Sequence, residues 1–208
     1  MRTSVVGQYL LAGAALLLPL VASGESNFQT GTTALTATAH VDFQITIPKF
    51  LFLRVGTGTG TAAGGYATLA TIDEITWAPT AAQVGTGVLA GTGGDLTAGT
   101  ETAVVVANNG NVTLSSTTTG PLSDGAGDTI SFTKITTTAT HNSTTTTLAP
   151  PALADGATTT TTLTAVGKVV QQDAKWAYSY SNNTTPPAGT YGGVNVNAGR
   201  VTYTASSP

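Results

Sequence analysis

The 208 residues include no cysteine, which excludes a disulfide framework, thiol catalysis, iron–sulfur clusters and cysteine zinc sites. Charged side chains make up 8% of the chain, against roughly 25% in ordinary globular proteins, while 40% is hydrophobic, so charge-driven disorder is excluded as well. Seven basic residues against ten acidic ones leave no basic footprint for nucleic acid.

Arg2 is the one charged side chain before Glu25, and residues 9–22 (YLLAGAALLLPLVA) form a short apolar run with small residues at its end. A positive start, an apolar stretch and small residues at a cut site predict a secretory signal helix over residues 1–24, removed after Gly24 or Ser23. The run is shorter than the ~20 apolar residues a membrane span needs, and Pro19 interrupts it. Export to the cell surface or medium is therefore expected, with no membrane span once the signal is removed. Loss of Arg2 with the signal leaves six basic residues against ten acidic ones.

Threonine and valine are prominent beyond the signal, and β-branched side chains fit a pleated strand better than a helix. Residues 25–40 are read as an N-terminal extension or donor strand, and residues 41–208 as the folded domain. From 33 to 47 the odd positions run Leu35, Ala37, Ala39, Val41, Phe43, Ile45 and Ile47, while Thr36, Thr38, His40, Asp42, Gln44 and Thr46 alternate with them. That period of two spans roughly 50 Å if extended. Two readings stand: the first strand of the chain's own sheet, favoured for residues 41–47, or a strand that adds to a neighbour's open edge. Pro48 predicts a bend, and residues 50–55 (FLFLRV) a buried strand.

The glycine-threonine loop 56–65 lacks the G-x-x-x-x-G-K-[ST] spacing, so it is read as a turn and not as a nucleotide site. Residues 69–77 (LATIDEITW) predict a strand. Residues 102–107 (TAVVVA) predict a buried strand, with Asn108-Asn109-Gly110-Asn111 as a hairpin turn and residues 112–115 as the returning partner. Further strands are expected at 129–135, 163–170, 175–180, 189–196 and 200–205. The threonine-rich stretches 136–147 and 157–162 fit either strands or solvated loops. No helix of ten residues is expected after the signal. Many short strands between Gly, Asn and Pro turns predict an all-β, immunoglobulin-like antiparallel β-sandwich.

No catalytic constellation stands out, and neither an enzymatic activity nor a cofactor is expected. His40 and His141 lie far apart in the sequence, and G-x-S-x-G does not occur. Asp73 and Glu74 are neighbours, which a strand would turn to opposite faces. Asp124 and Asp128 bracket a glycine loop and are the metal candidates, two carboxylates against the six to eight ligands Ca²⁺ takes. Trp77 and the C-terminal aromatics Trp176, Tyr178, Tyr180, Tyr191 and Tyr203 suit either core packing or a platform for a glycan. Asn111, Asn142, Asn182 and Asn183 each fit N-x-[ST].

Pro187-Ala188-Gly189-Thr190-Tyr191, followed by Val201-Thr202-Tyr203-Thr204-Ala205, resembles the closing hairpin of secreted bacterial β-sandwiches of the fimbrial-subunit and spore-coat-U-like type. The usual cysteines of those families are absent here, and residues 192–199 (GGVNVNAG) lengthen the hairpin. The resemblance implies a structural subunit of a surface filament or coat, whose partners are copies of itself or other surface subunits. A monomeric secreted module binding carbohydrate or a surface is the alternative.

Overall fold

The computed structural model describes residues 24–56, 66, 68 and 70–208. The expected signal helix lies outside the described residues except for Gly24, as does the loop 56–65 except for Gly56. The chain divides into two units, Met1–Ile47 and Pro48–Pro208.

In the first unit, residues 24–47 carry no strand, and every one of them is exposed. The favoured expectation that residues 41–47 open the chain's own sheet is therefore corrected: among the described residues, pairing begins at Leu51. Alternation marks a strand with one apolar face, but it does not say whose sheet that face meets. The Glu25 carboxylate holds this segment in a loop, accepting from the His40 N–H at 3.0 Å and lying 2.7 Å from its Nδ1.

The second unit is an all-β antiparallel sandwich. Its strands are β1 (Leu51–Val55), β2 (Ile75–Thr76), β3 (Leu89–Ala90), β4 (Thr92–Gly93), β5 (Thr100–Ala107) and β6 (Val112–Thr117). They continue with β7 (Leu122–Ser123), β8 (Thr129–Ile130), β9 (Ile135–Thr140), β10 (Thr158–Leu163), β11 (Val170–Tyr180) and β12 (Thr202–Ser206). One sheet runs β1–β5–β11, and β11 also pairs with β9 and, at its last two residues, with β3. The other runs β10–β6–β12, from Val112↔Leu163 to Thr117↔Thr158 on one side and from Thr113↔Ser206 to Thr117↔Thr202 on the other. The pairs β2–β4 and β7–β8 are short outliers.

The core lies between the sheets. Ala103, Val105 and Ala107 of β5 and Val170, Ala174 and Trp176 of β11 meet Val112 and Leu114 of β6 and Leu163 of β10. The Trp176 and Tyr203 rings sit 5.3 Å apart across it. β5 is buried on its other face too, where Val104 and Val106 pack with Phe52, and this explains a run apolar at consecutive positions.

Asn108–Asn111 do not close a hairpin. β6 pairs with β10 and β12 instead of β5, so this turn lifts the chain from one sheet to the other. The positive φ that Asn and Gly tolerate, here +111° at Gly110, serves an arch as well as a hairpin. The expected strand 163–170 is a second arch over residues 164–169, with Leu163 closing β10, Val170 opening β11, and Gly167 and Lys168 at positive φ. The two arches are bonded together, Gly110 N–H to the Lys168 carbonyl at 2.9 Å and Ala165 N–H to Asn111 Oδ1 at 2.9 Å.

Three further expectations are shortened. Among the described positions of 69–77, Ile75–Thr76 alone is paired. The stretch 129–135 breaks after Ile130 into a 3₁₀ turn, Phe132–Lys134, where the Ser131 side chain caps the Thr133 N–H. Residues 189–196 wrap around β7 as a loop, with Gly192 N–H donating to the Ser123 carbonyl at 2.8 Å. Of the threonine-rich stretches, 136–140 lies in β9 and 158–162 in β10, while 141–147 is a loop. Among the described residues no helix is long and apolar enough to cross a membrane.

Candidate functional site

The apolar row of the N-terminal segment stands in solvent. Phe43 is 90% exposed and Ile45 86%, and Leu35, Val41 and Ile47 are exposed beside them. An extended segment that adds to a sheet edge carries side chains at this spacing of two.

Within the sandwich, β1, β9, β10 and β12 each pair on one side among the described residues. The core-facing rows of these edges differ in chemistry. On β1 and leading into β12 they are Leu53, Val55, Val201, Tyr203 and Ala205, all half-buried against the core. On β9 they are Ile135, Thr137 and Ala139, and on β10 Thr159, Thr161 and Leu163. The β1 and β12 rows are thus the ones without threonine.

Asp124 caps its own loop. Its Oδ1 accepts from the N–H groups of Ala126 at 2.8 Å, Gly127 at 3.0 Å and Asp128 at 3.0 Å. The Ala126 N–H, with those of Asp128 and Gly127, holds this carboxyl below its usual value. An Asx turn with Asp128 as its last donor accounts for both residues. His40 belongs to the Glu25 pair, and His141 is exposed in the loop after β9.

The aromatics of β11 are core residues. Trp176, Tyr178 and Tyr180 are buried, and Trp176 Nε1 donates to the Leu148 carbonyl at 2.8 Å. Tyr178 and Tyr203 pair their hydroxyls at 3.1 Å, and burial pushes the Tyr203 hydroxyl up to about 12. Trp77 and Tyr191 are half-buried.

Two buried carboxylates went unnoticed in the sequence. Asp173 is fully buried on the β11 face away from the core, opposite Val104. The loop after β9 closes over it: Asn142 Nδ2 donates at 3.0 Å, Ser143 N–H at 3.1 Å, Thr144 N–H at 2.9 Å and the Thr144 hydroxyl at 2.7 Å, with the Ser143 hydroxyl as a fifth donor. Burial alone would raise this carboxyl, yet the Ser143 and Thr144 donors outweigh it and hold it well below the usual range.

Glu101, at the start of β5, has the opposite surroundings. It is buried beside half-buried Asp73 and Asp95, and one carboxylate oxygen from each of the three lies within 4.8 Å of the others. Asp95 N–H donates to Glu101 Oε2 at 3.2 Å, and Thr102 N–H to Asp95 Oδ1 at 2.7 Å. Burial first, with Asp73 and Asp95 behind it, raises Glu101 to about 8 against the lowering effect of the Asp95 N–H. The three carboxyls could ligate a cation, but they supply half or less of the oxygens Ca²⁺ takes. Protonation of Glu101 relieves the same crowding. Glu74 beside Asp73 is exposed.

No family model, no curated protein and no solved structure matches this chain.

Proposed function

We propose that this protein is an exported, non-enzymatic structural subunit of a surface filament or coat, which assembles by adding its N-terminal segment to the sheet edge of another copy. The observation that carries this reading is the exposed, unpaired row Leu35, Ala37, Ala39, Val41, Phe43, Ile45 and Ile47 in a chain whose β1 and β12 edges keep apolar side chains half-buried. Burying the five large members of that row is worth about 1.5–3 kcal/mol each. That total is comparable with the ~4–15 kcal/mol lost on association, so the main-chain ladder along the edge decides the outcome. For the glycan-binding alternative, Trp176, Tyr178 and Tyr180 lie in the core, which leaves half-buried Trp77 and Tyr191 as its aromatics.

The test is gel filtration and negative-stain microscopy of residues 25–208 beside a Phe43→Asp, Ile45→Asp double variant. Both positions are exposed, so the sandwich is expected to keep its melting temperature. Oligomers or filaments in the first sample alone support the reading. Monomers in both samples overturn it.

A further inference from the structure

The outward face of the β10–β6–β12 sheet is a grid of hydroxyls. Register places Thr158, Thr117 and Thr202 in one row and Thr160, Ser115 and Thr204 in the next. A third row begins at Thr113, flanked by the outward residues of β10 and β12. These positions alternate with the core-facing Val112, Leu114 and Leu163, so the pleat presents every one of them on the same side. Neighbouring columns stand about 4.8 Å apart and successive rows about 6.8 Å. The grid contains no charge and no aromatic ring; Arg200 lies at its rim, in a depression shared with Thr117 and Thr202.

The side chains are held in place. Thr117 and Thr158 bond hydroxyl to hydroxyl at 2.8 Å, and the Ser115 hydroxyl donates to the Thr204 carbonyl at 3.2 Å. β-Branching stiffens χ1 at each threonine, so little rotamer entropy remains to be lost on contact.

We infer that this face binds ordered water at the surface of ice. Each hydroxyl both donates and accepts, as water does. An anion would call for donors alone and a cation for acceptors alone. Sugar rings are recognised largely by stacking on aromatics, and the grid has none. A second copy laid face to face would bury about one methyl per threonine. At ~0.8 kcal/mol each, that falls toward the low end of the association cost. A water lattice with a fixed repeat is the remaining neutral partner that meets many hydroxyls at once. The inference is independent of strand donation, because the grid is complete in one chain.

The test is microscopy of ice crystal shaping and recrystallisation with the full chain, compared with Thr160→Tyr and Thr204→Val. Thr204→Val keeps the β-branched shape and removes one hydroxyl, so it reads binding without disturbing the fold. Thr138→Tyr, on the exposed row of β9 in the other sheet, is the control. Faceted crystals and slowed recrystallisation with the full chain and the control, lost in Thr160→Tyr and weakened in Thr204→Val, are expected. Ice growth indistinguishable from buffer, or shaping that both variants retain, overturns the inference. So does a dimer that Thr160→Tyr dissociates without any effect on ice, which would assign the face to a second copy.

Discussion

Asp173 and Glu101 are both buried carboxyls in neighbouring strands of one sheet, and their protonation is driven in opposite directions. Five donors from Asn142, Ser143 and Thr144 converge on Asp173, whereas two further carboxyls crowd Glu101. Burial penalises the charge at both sites, so burial alone does not decide. Burial is the largest effect at Glu101, and at Asp173 the converging donors overturn it.

Asp173→Ala should have the largest effect. It leaves the donors of residues 142–144 without their acceptor and detaches the loop, costing about 3 kcal/mol in urea unfolding. Gly56→Ala attacks the other site. A Cβ there would sit 2.5 Å from Asp73 Oδ2 and 2.6 Å from Glu101 Oε2, at φ +76°. A loss of about 2 kcal/mol by the same measurement is expected.

Stability against pH sharpens the contrast. Asp173 titrates below its unfolded value, so its contribution is present above the ordinary carboxylate range and is lost as pH falls through the folded value. Glu101 is raised from 4.5 to about 8, so its contribution is complete below 4.5 and disappears as pH rises through about 8. Thermal unfolding from about pH 3 to about pH 9 should therefore decline on both sides for the natural chain, while Glu101→Gln should lose the alkaline decline and keep the acid one. An alkaline limb unchanged in that variant would refute the assignment. The smallest effect should come from Thr144→Val, which removes one hydroxyl donor and costs about 1 kcal/mol in urea unfolding.

The legible parts of the sequence were those where burial repeats at short range. The TAVVVA run became β5, buried on both faces, and Trp176, Tyr178 and Tyr180 took the core side of β11. Partner choice was not legible. Asn108–Asn111 looked like a hairpin because the local φ preference is the same in an arch, and residues 41–47 alternate without pairing in their own chain. The Asp173 clamp was hidden inside a stretch that looked like low complexity, since any serine or threonine there could have been a donor. The Glu101 group was hidden for another reason: Asp73, Asp95 and Glu101 meet through a loop path that no spacing rule describes.

The two arches also set the order in which this molecule can fold. Because β5 and β6 do not pair with each other, β5 has β1 alone beside it, and β6 has no partner, until much more chain exists. β5 waits for β11 to cover its second edge, and Ser115 of β6 meets Thr204 at a separation of 89 residues. Closing loops of that size before any contact is gained slows folding. During synthesis one edge of the apolar β5 run must remain unsheltered until β11 has emerged.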